Sequence, residues 1–360
     1  MNNLGDDLFL ESFINEYKDK SNTNFYILTY KKYRQHYKAM GYIPICKDAI
    51  WYRACGKITR TLFRCEPYFF FCNKKTFFVM LGGSLFAENK SEKEEQLQYN
   101  NLKYAIDHSL ESCVVGSNFG PFRTKTFLNK YRELFKFVGD ICFRDLYSVN
   151  MFSGLNNIRF APDLILAGFW DCPISNEDND ANNGIAIAPI DLSDRKNLVS
   201  FKEKYEEVLL SIINFHTSAD CNVYLLPFCE QEGDLKVCEQ LYNKADKKDR
   251  VILCQYDRNT IINTIKGCNK IYSTRFHAMI LSIYFKKHCI PLVYDEKVKN
   301  AIECYTKGPE YFEIKDLEEE EISNIVNSKG ISGINKNLKE EAKKQFLFLQ
   351  EKYNDVCGRD

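Results

Sequence analysis

Apolar positions along this chain alternate between short β-rich runs and stretches with helical spacing. In the first half, residues 6–17 set Phe9, Leu10, Phe13, Ile14 and Tyr17 on one helical face. Strand-like runs follow at 25–29, 42–46, 77–81, 113–116 and 140–143, with helical stretches at 92–107 and 126–137. In the second half the strand-like runs lie at 185–188, 222–226, 251–255, 271–274 and 290–294. The clearest helix is 201–213, where Phe201, Tyr205, Val208, Leu209, Ile212 and Ile213 form a stripe. Strands alternating with helices predict an α/β fold with parallel sheets covered by helices. The aperiodic, Asn- and Asp-rich segment 174–183 predicts a boundary between two such units. A final helix is expected over 338–353, and the acidic run 316–324 reads as the solvated start of another.

Composition narrows the function classes. A chain of 360 residues is long enough for two cores. Its 49 basic and 49 acidic side chains leave no global basic field, so nucleic acid is not expected as a partner. The 15 cysteines are expected to be reduced: residues 1–11 carry no secretory signal, and a chain this large needs no staples. No C-x-x-C occurs and the interval Cys221, Cys229, Cys238 lacks zinc-type pairing, so no metal is expected. Cys46, Cys113, Cys142 and Cys289 lie in or beside apolar runs and read as packing residues. No run of ~20 apolar residues could span a bilayer, which predicts a soluble, cytoplasmic protein. No basic amphipathic helix stands out as an anchor, so membrane contact is expected to be transient or through a bound substrate.

Candidate chemistry concentrates in 270–297, KIYSTRFHAMILSIYFKKHCIPLVYDEK. A β-rich run ends at Ser273 and Thr274, either of which can cap a helix carrying Phe276, Met279, Ile280, Ile283 and Tyr284. Arg275 and His277 then fall in its first turn, where the dipole and an arginine fork favour an anion and an imidazole can move a proton. The competing reading is a surface ion pair and a semi-buried histidine.

Other short motifs occur in order: Asn2 to Leu8 (NNLGDDL) with Asn3 and Asp6, 79–86 (VMLGGSLF) with Gly82 and Gly83, 114–122 (VVGSNFGPF) with Gly120, 143–148 (FRDLYS) with Arg144, and 161–164 (APDL). With RFHA at 275–278 and YDEK at 294–297, this series resembles the polysaccharide pyruvyl transferase family. The chain departs from the family in having no strand ahead of the N-x-G-D loop, so the first strand is expected to be absent.

The resemblance implies two Rossmann-like domains facing a cleft, of glycosyltransferase-B type: an acceptor-side domain over 1–175, a donor or anion-side domain over 184–330, and a terminal helix within 331–360 returning to the first. It implies transfer of pyruvyl from phosphoenolpyruvate to two hydroxyls of a sugar in a surface polysaccharide or its lipid-linked precursor, at the inner face of the membrane, with no cofactor and no metal. In that scheme Arg275 grips phosphate or carboxylate and His277 supplies a proton. Arg144 is the second arginine expected to bind substrate, against an alternative in which it merely pairs with Asp145 or Asp140. Gly82, Gly83 and Gly120 would line the acceptor side, against the alternative of ordinary turns. Lys297, Asn3 and Asp6 would complete the substrate-binding set. His36, His108, His216 and His288 are expected to be structural or exposed. Two other classes stay open: a nucleotide-sugar glycosyltransferase, and a non-catalytic member binding a glycan or a partner protein.

Overall fold

The computed structural model describes residues 3–17, 23–67, 71–88, 91–168, 170, 184–318, 320–331 and 334–357. The chain forms two compact units, one made of 1–7 with 169–340 and the other of 8–168 with 341–360. The expected boundary at 174–183 lies outside the described residues.

The strands in chain order are β1 (Tyr26–Thr29), β2 (Ile43–Cys46), β3 (Phe77–Leu81), β4 (Glu111–Ser117), β5 (Asp140–Phe143), β6 (Ile158–Phe160), β7 (Ile185–Ala188), β8 (Val223–Leu225), β9 (Val251–Leu253), β10 (Lys270–Ser273), β11 (His288–Val293) and β12 (Phe312–Glu313). They build three sheets, ordered β1-β2, β3-β4-β5-β6 and β12-β11-β10-β7-β8-β9, and each of these pairings is parallel.

In the unit with the six-stranded sheet, β7 is buried along its whole length, as its unbroken apolar sequence IAIA requires. Helix Lys202–Ser218 lays Tyr205, Val208, Leu209, Ile212 and Ile213 into a core shared with β7, β8 and helix Asp234–Lys244. Helix Phe276–Tyr284 is apolar on every side and accordingly buried from Ala278 to Ile283.

The other unit has an aromatic core. Phe119 sits among Phe86, Tyr131, Phe135 and Phe152, with edge-on ring contacts as close as 4.8 Å. The end of the chain closes it: Gln345 donates from its amide to the carbonyls of Ala161 (2.7 Å) and Pro162 (3.1 Å) and accepts from the Gly116 N–H (2.9 Å). The thirteen cysteines whose side chains the structure describes are free thiols.

Three expectations are corrected. The acidic run contributes less of the helix than expected: the helix is Ile322–Asn327, which starts within 316–324 directly after its N-cap Glu321. The final helix is broken into Leu338–Lys343 and Leu347–Cys357 by a tighter 3₁₀ turn. A basic amphipathic surface helix does exist, Ile50–Leu62. Its pattern escapes a search for a core-facing stripe because it buries Tyr52, Gly56 and Thr59 and turns its aliphatic residues outward.

Candidate active site

At the carboxyl end of β10 the chain turns through Thr274 and Arg275 into helix Phe276–Tyr284. Arg275 is itself the N-cap, extended at φ −77° and ψ 125°, with no side-chain capping bond. The expected caps are occupied elsewhere: Ser273 Oγ donates to the Arg275 carbonyl (2.7 Å), and Thr274 Oγ1 shares a hydrogen bond with Tyr205 (2.8 Å).

The Arg275 guanidinium faces two carboxylates of its own chain. Nε donates to Asp234 Oδ2 (2.7 Å), one terminal nitrogen donates to Asp234 Oδ1, and the other to Glu232 Oε2 (2.8 Å). An internal clamp therefore stands where the sequence suggested a direct grip on a substrate anion. Asp234 is fully buried and also accepts the backbone N–H groups of Phe228 (3.1 Å) and Cys229 (2.8 Å). Burial pushes the Asp234 carboxyl up, against the pull of Arg275 and the Cys229 N–H. Burial also opposes ionisation of Glu232, but Arg275, Arg195 and Lys297 outweigh it and hold that carboxyl below the usual glutamate range. Burial disfavours the charge on Arg275 too, yet Asp234 and Glu232 more than offset this and keep it protonated.

Asp234 also governs His277, at one remove. The backbone it holds at 228–229 receives the start of the chain: Asn3 forms an antiparallel bridge with Cys229, and the Leu4 N–H donates to the Phe228 carbonyl (3.0 Å). Asn3 Oδ1 accepts the Gly5 N–H (3.1 Å). Gly5 is thereby set against the imidazole, where a β-carbon would stand 1.7 Å from His277 Nδ1 and 2.2 Å from Cε1. Asp6 follows in the first turn of helix Leu4–Tyr17, a position the helix dipole favours for a carboxylate. The N-x-G-D loop is thus fastened by the loop that follows β8.

Beside the clamp, Tyr294 carries two cations over its ring, Arg195 at 4.8 Å and Lys297 at 5.6 Å from the centroid. Arg195 also pairs with Glu232 (2.7 Å), and Lys297 stands 3.6 Å from Asp295, which caps helix Glu296–Tyr305. Both cations keep about a quarter of their side-chain surface in water, against 11 % for Arg275. The whole set lies at the carboxyl ends of β7, β8, β10 and β11, where open parallel sheets bind ligands.

The remaining predicted residues belong to the other unit. Arg144 is buried and donates to Asp163 Oδ2 (2.9 Å) and Asn118 Oδ1 (2.8 Å). It thereby ties the SNFGP, FRDLYS and APDL motifs to one another. Its ion pair is with Asp163, not with either of the two acids the sequence offered nearby, which are hydrogen-bonded elsewhere. Asp140 holds Arg159 (2.8 Å), and Asp145 caps helix Leu146–Met151 by accepting the Ser148 N–H (2.7 Å). Burial pushes the Asp163 carboxyl up, and the Arg144 charge opposes that shift. Gly82 adopts φ +78°, and the space beside it is filled by the Phe9 ring, which a β-carbon would meet at 2.6 Å. The Gly83 carbonyl accepts from Ser117 Oγ (2.9 Å) and the Asn118 N–H (3.2 Å), and the Gly120 N–H donates to Phe86 (2.7 Å). All three glycines thus make turns that lock β3 to β4.

Asp234, Glu232 and Arg195 were not singled out in the sequence. A signal existed in Glu232-Gly233-Asp234, an acidic turn just after a strand, but its partner Arg275 is 41 residues away.

The sequence model of the polysaccharide pyruvyl transferase family matches residues 3–296, from the Asn3 loop to the end of β11 and beyond. The chain belongs to that family. Among proteins similar to this pyruvyl transferase family member, the amylovoran biosynthesis protein AmsJ of Erwinia amylovora is 23 % identical over 243 residues. That match takes in 61 % of this chain and 57 % of AmsJ, so the chain spans little more than half of that relative's length. A Staphylococcus aureus MnaA–UDP structure is similar with a TM-score of 0.63 at 9 % identity, covering 96 % of this chain and 94 % of the other. A putative UDP-N-acetylglucosamine 2-epimerase from Listeria monocytogenes gives 0.60 at 8 % identity, covering 98 % and 95 %. These likenesses establish the fold, two Rossmann-like units of the glycosyltransferase-B type.

Proposed function

We propose that this chain transfers a pyruvyl group from phosphoenolpyruvate to two hydroxyls of one sugar in a polysaccharide or its lipid-linked precursor. The observation that carries the reading is the meeting of two family motifs that lie far apart in the sequence. The Asn3–Asp6 loop and the Arg275–Ala278 segment converge at the carboxyl ends of one sheet, with Gly5 seated on His277.

In this proposal one sugar hydroxyl adds to C2 of phosphoenolpyruvate while C3 gains a proton, and the second hydroxyl then displaces phosphate to close the cyclic ketal. In the same proposal His277 supplies the proton to C3 or to the leaving phosphate. Arg195 and Lys297, the partly exposed cations on Tyr294, grip the donor's carboxylate and phosphate. Arg275 acts through Asp234 and Glu232 as a positioning residue, a change from the direct role suggested by sequence. The reaction is not a redox step, and we propose that it needs no cofactor.

Calorimetry with phosphoenolpyruvate in phosphate-free buffer, on the wild type, Lys297→Ala and Arg195→Ala, tests the donor site. Binding to the wild type that each variant weakens by about tenfold or more supports it. Binding of nucleotide sugars with none of phosphoenolpyruvate would replace the reading with a glycosyltransferase.

A further inference from the structure

Helix Ile50–Leu62 reverses the usual arrangement of a surface helix. Its protein-facing side is Tyr52, Gly56 and Thr59, while Ile58 and Leu62 are 59 % and 68 % exposed. Ile50, Trp51 and the following Phe63 are exposed as well. At 100° per residue Ile50, Trp51, Ile58 and Leu62 fall within one third of the helix circumference. Arg53, Lys57 and Arg60 lie along the flank of that stripe and are exposed too. Arg60 is held by Glu66 (2.9 Å), while Arg53 and Lys57 have no ion pair among the described residues. The patch continues beyond the helix: the Phe71 ring contacts both Trp51 (6.4 Å) and the exposed Tyr26 on β1 (6.2 Å).

Charge identifies what covers this face. Residues 26–64 hold nine lysines and arginines against one acid, Asp48, a surplus of eight in a chain whose charges balance overall. The helix has no acidic residue, not even in the first turn where the dipole would favour one. A second copy of the same face would be repelled by this charge. Base stacking on nucleic acid would use the rings but leave Ile50, Ile58 and Leu62 in water. A bilayer with anionic headgroups satisfies both halves: phosphates take the basic flank, the acyl boundary takes the aliphatic residues, and Trp51, Tyr26 and Phe71 suit the interface between them.

We propose that helix Ile50–Leu62 is an in-plane docking element for an anionic membrane surface. The inference is independent of the pyruvyl-transfer reading and brings the protein to the surface where a lipid-linked acceptor would reside.

The test is co-sedimentation of the full chain with vesicles of equal parts phosphatidylglycerol and phosphatidylcholine, compared with phosphatidylcholine alone, at about 0.1 M salt. The expected result is binding to the anionic vesicles at least about tenfold tighter than to the neutral ones, weakening as salt rises. A blue shift in tryptophan emission should accompany binding. The chain has two tryptophans and Trp170 is already buried, so the shift reports Trp51. Ile58→Glu/Leu62→Glu should abolish binding without lowering the melting temperature. Should that variant fold poorly, quenching of wild-type Trp51 by lipids brominated along the tail decides the matter. Vesicle binding that survives the double substitution in a folded protein, absence of quenching, or a shift of nucleic acid in a gel without vesicle binding would each overturn the proposal. So would a concentration-dependent dimer that the double substitution dissolves.

Discussion

Between Gly5 and His277 there is room for a hydrogen atom and nothing larger, since a β-carbon at position 5 would fall 1.7 Å from the imidazole Nδ1. The ring's position is therefore set by the main chain at the start of helix Leu4–Tyr17 as much as by its own helix.

Gly5→Ala should accordingly displace His277. Alanine is otherwise the better helix former, so the cost comes from overpacking, about 1–3 kcal/mol. The expected loss in phosphate release from phosphoenolpyruvate is about 100-fold, as for a catalytic group moved by an ångström. Activity near the wild type, with an unmoved His277 ring signal by NMR, would show that the contact is slack.

Asp234 joins Arg275 to the backbone that carries Asn3 and Leu4. Asp234→Ala leaves a buried guanidinium with Glu232 alone and should cost about 3–5 kcal/mol in urea unfolding. The Leu4 amide, which donates to Phe228, should also exchange faster with solvent. Asp234→Asn still offers an acceptor to the Cys229 N–H and should cost less. Unchanged Leu4 protection in Asp234→Ala would refute the link to the chain start.

Arg144 and Asp163 are both buried, so Arg144→Ala should also cost about 3–5 kcal/mol. Phosphoenolpyruvate affinity of the variant that remains folded at low temperature should match the wild type. A loss of affinity under those conditions would restore the substrate-binding role suggested by sequence.

His216, hydrogen-bonded to Tyr272 (2.8 Å), is held neutral by burial and by the Lys270 charge, its pKa lowered to about 4. The unfolded imidazole titrates near 6.5, so between about pH 4 and 6.5 the unfolded chain binds more protons. Stability should therefore rise with pH across that window and level off above it. The full shift would correspond to roughly 3 kcal/mol, and for a ring partly in water about 1 kcal/mol is expected. His288, lowered by burial and Lys270, acts in the same direction. Urea midpoints at pH 4.5 and 7 should move closer together in His216→Gln; an unchanged gap would assign the acid sensitivity to other groups.

Much of the scaffold was legible from apolar spacing. β7 occupies the residues that its run of alternating Ile and Ala indicates, and helix Lys202–Ser218 contains the stripe read from Tyr205 to Ile213. β6 escaped because three residues with Arg159 at their centre carry no periodicity, and that side chain is met only on folding, by Asp140 on the neighbouring strand and by the carbonyls of Lys344 and Gln345. Helix Ile50–Leu62 escaped because its apolar side faces out. In the candidate site the motif residues could be read, but their partners could not: Asp234 for Arg275, Asp163 for Arg144 and Gly5 for His277 are brought close only by folding.

Neither unit is a continuous stretch of chain, and Gln345 makes this consequential for biosynthesis. A ribosome delivers residues 8–168 long before Gln345 emerges. Until then Gly116, Ala161 and Pro162 wait for the amide that their backbone groups share in the finished protein. The unit holding β3 to β6 therefore lacks these three hydrogen bonds while residues 169–340 are being made, unlike a domain continuous in sequence. Its last partner lies 184 residues past Ala161, so maturation of this unit has to wait until the other unit has been made.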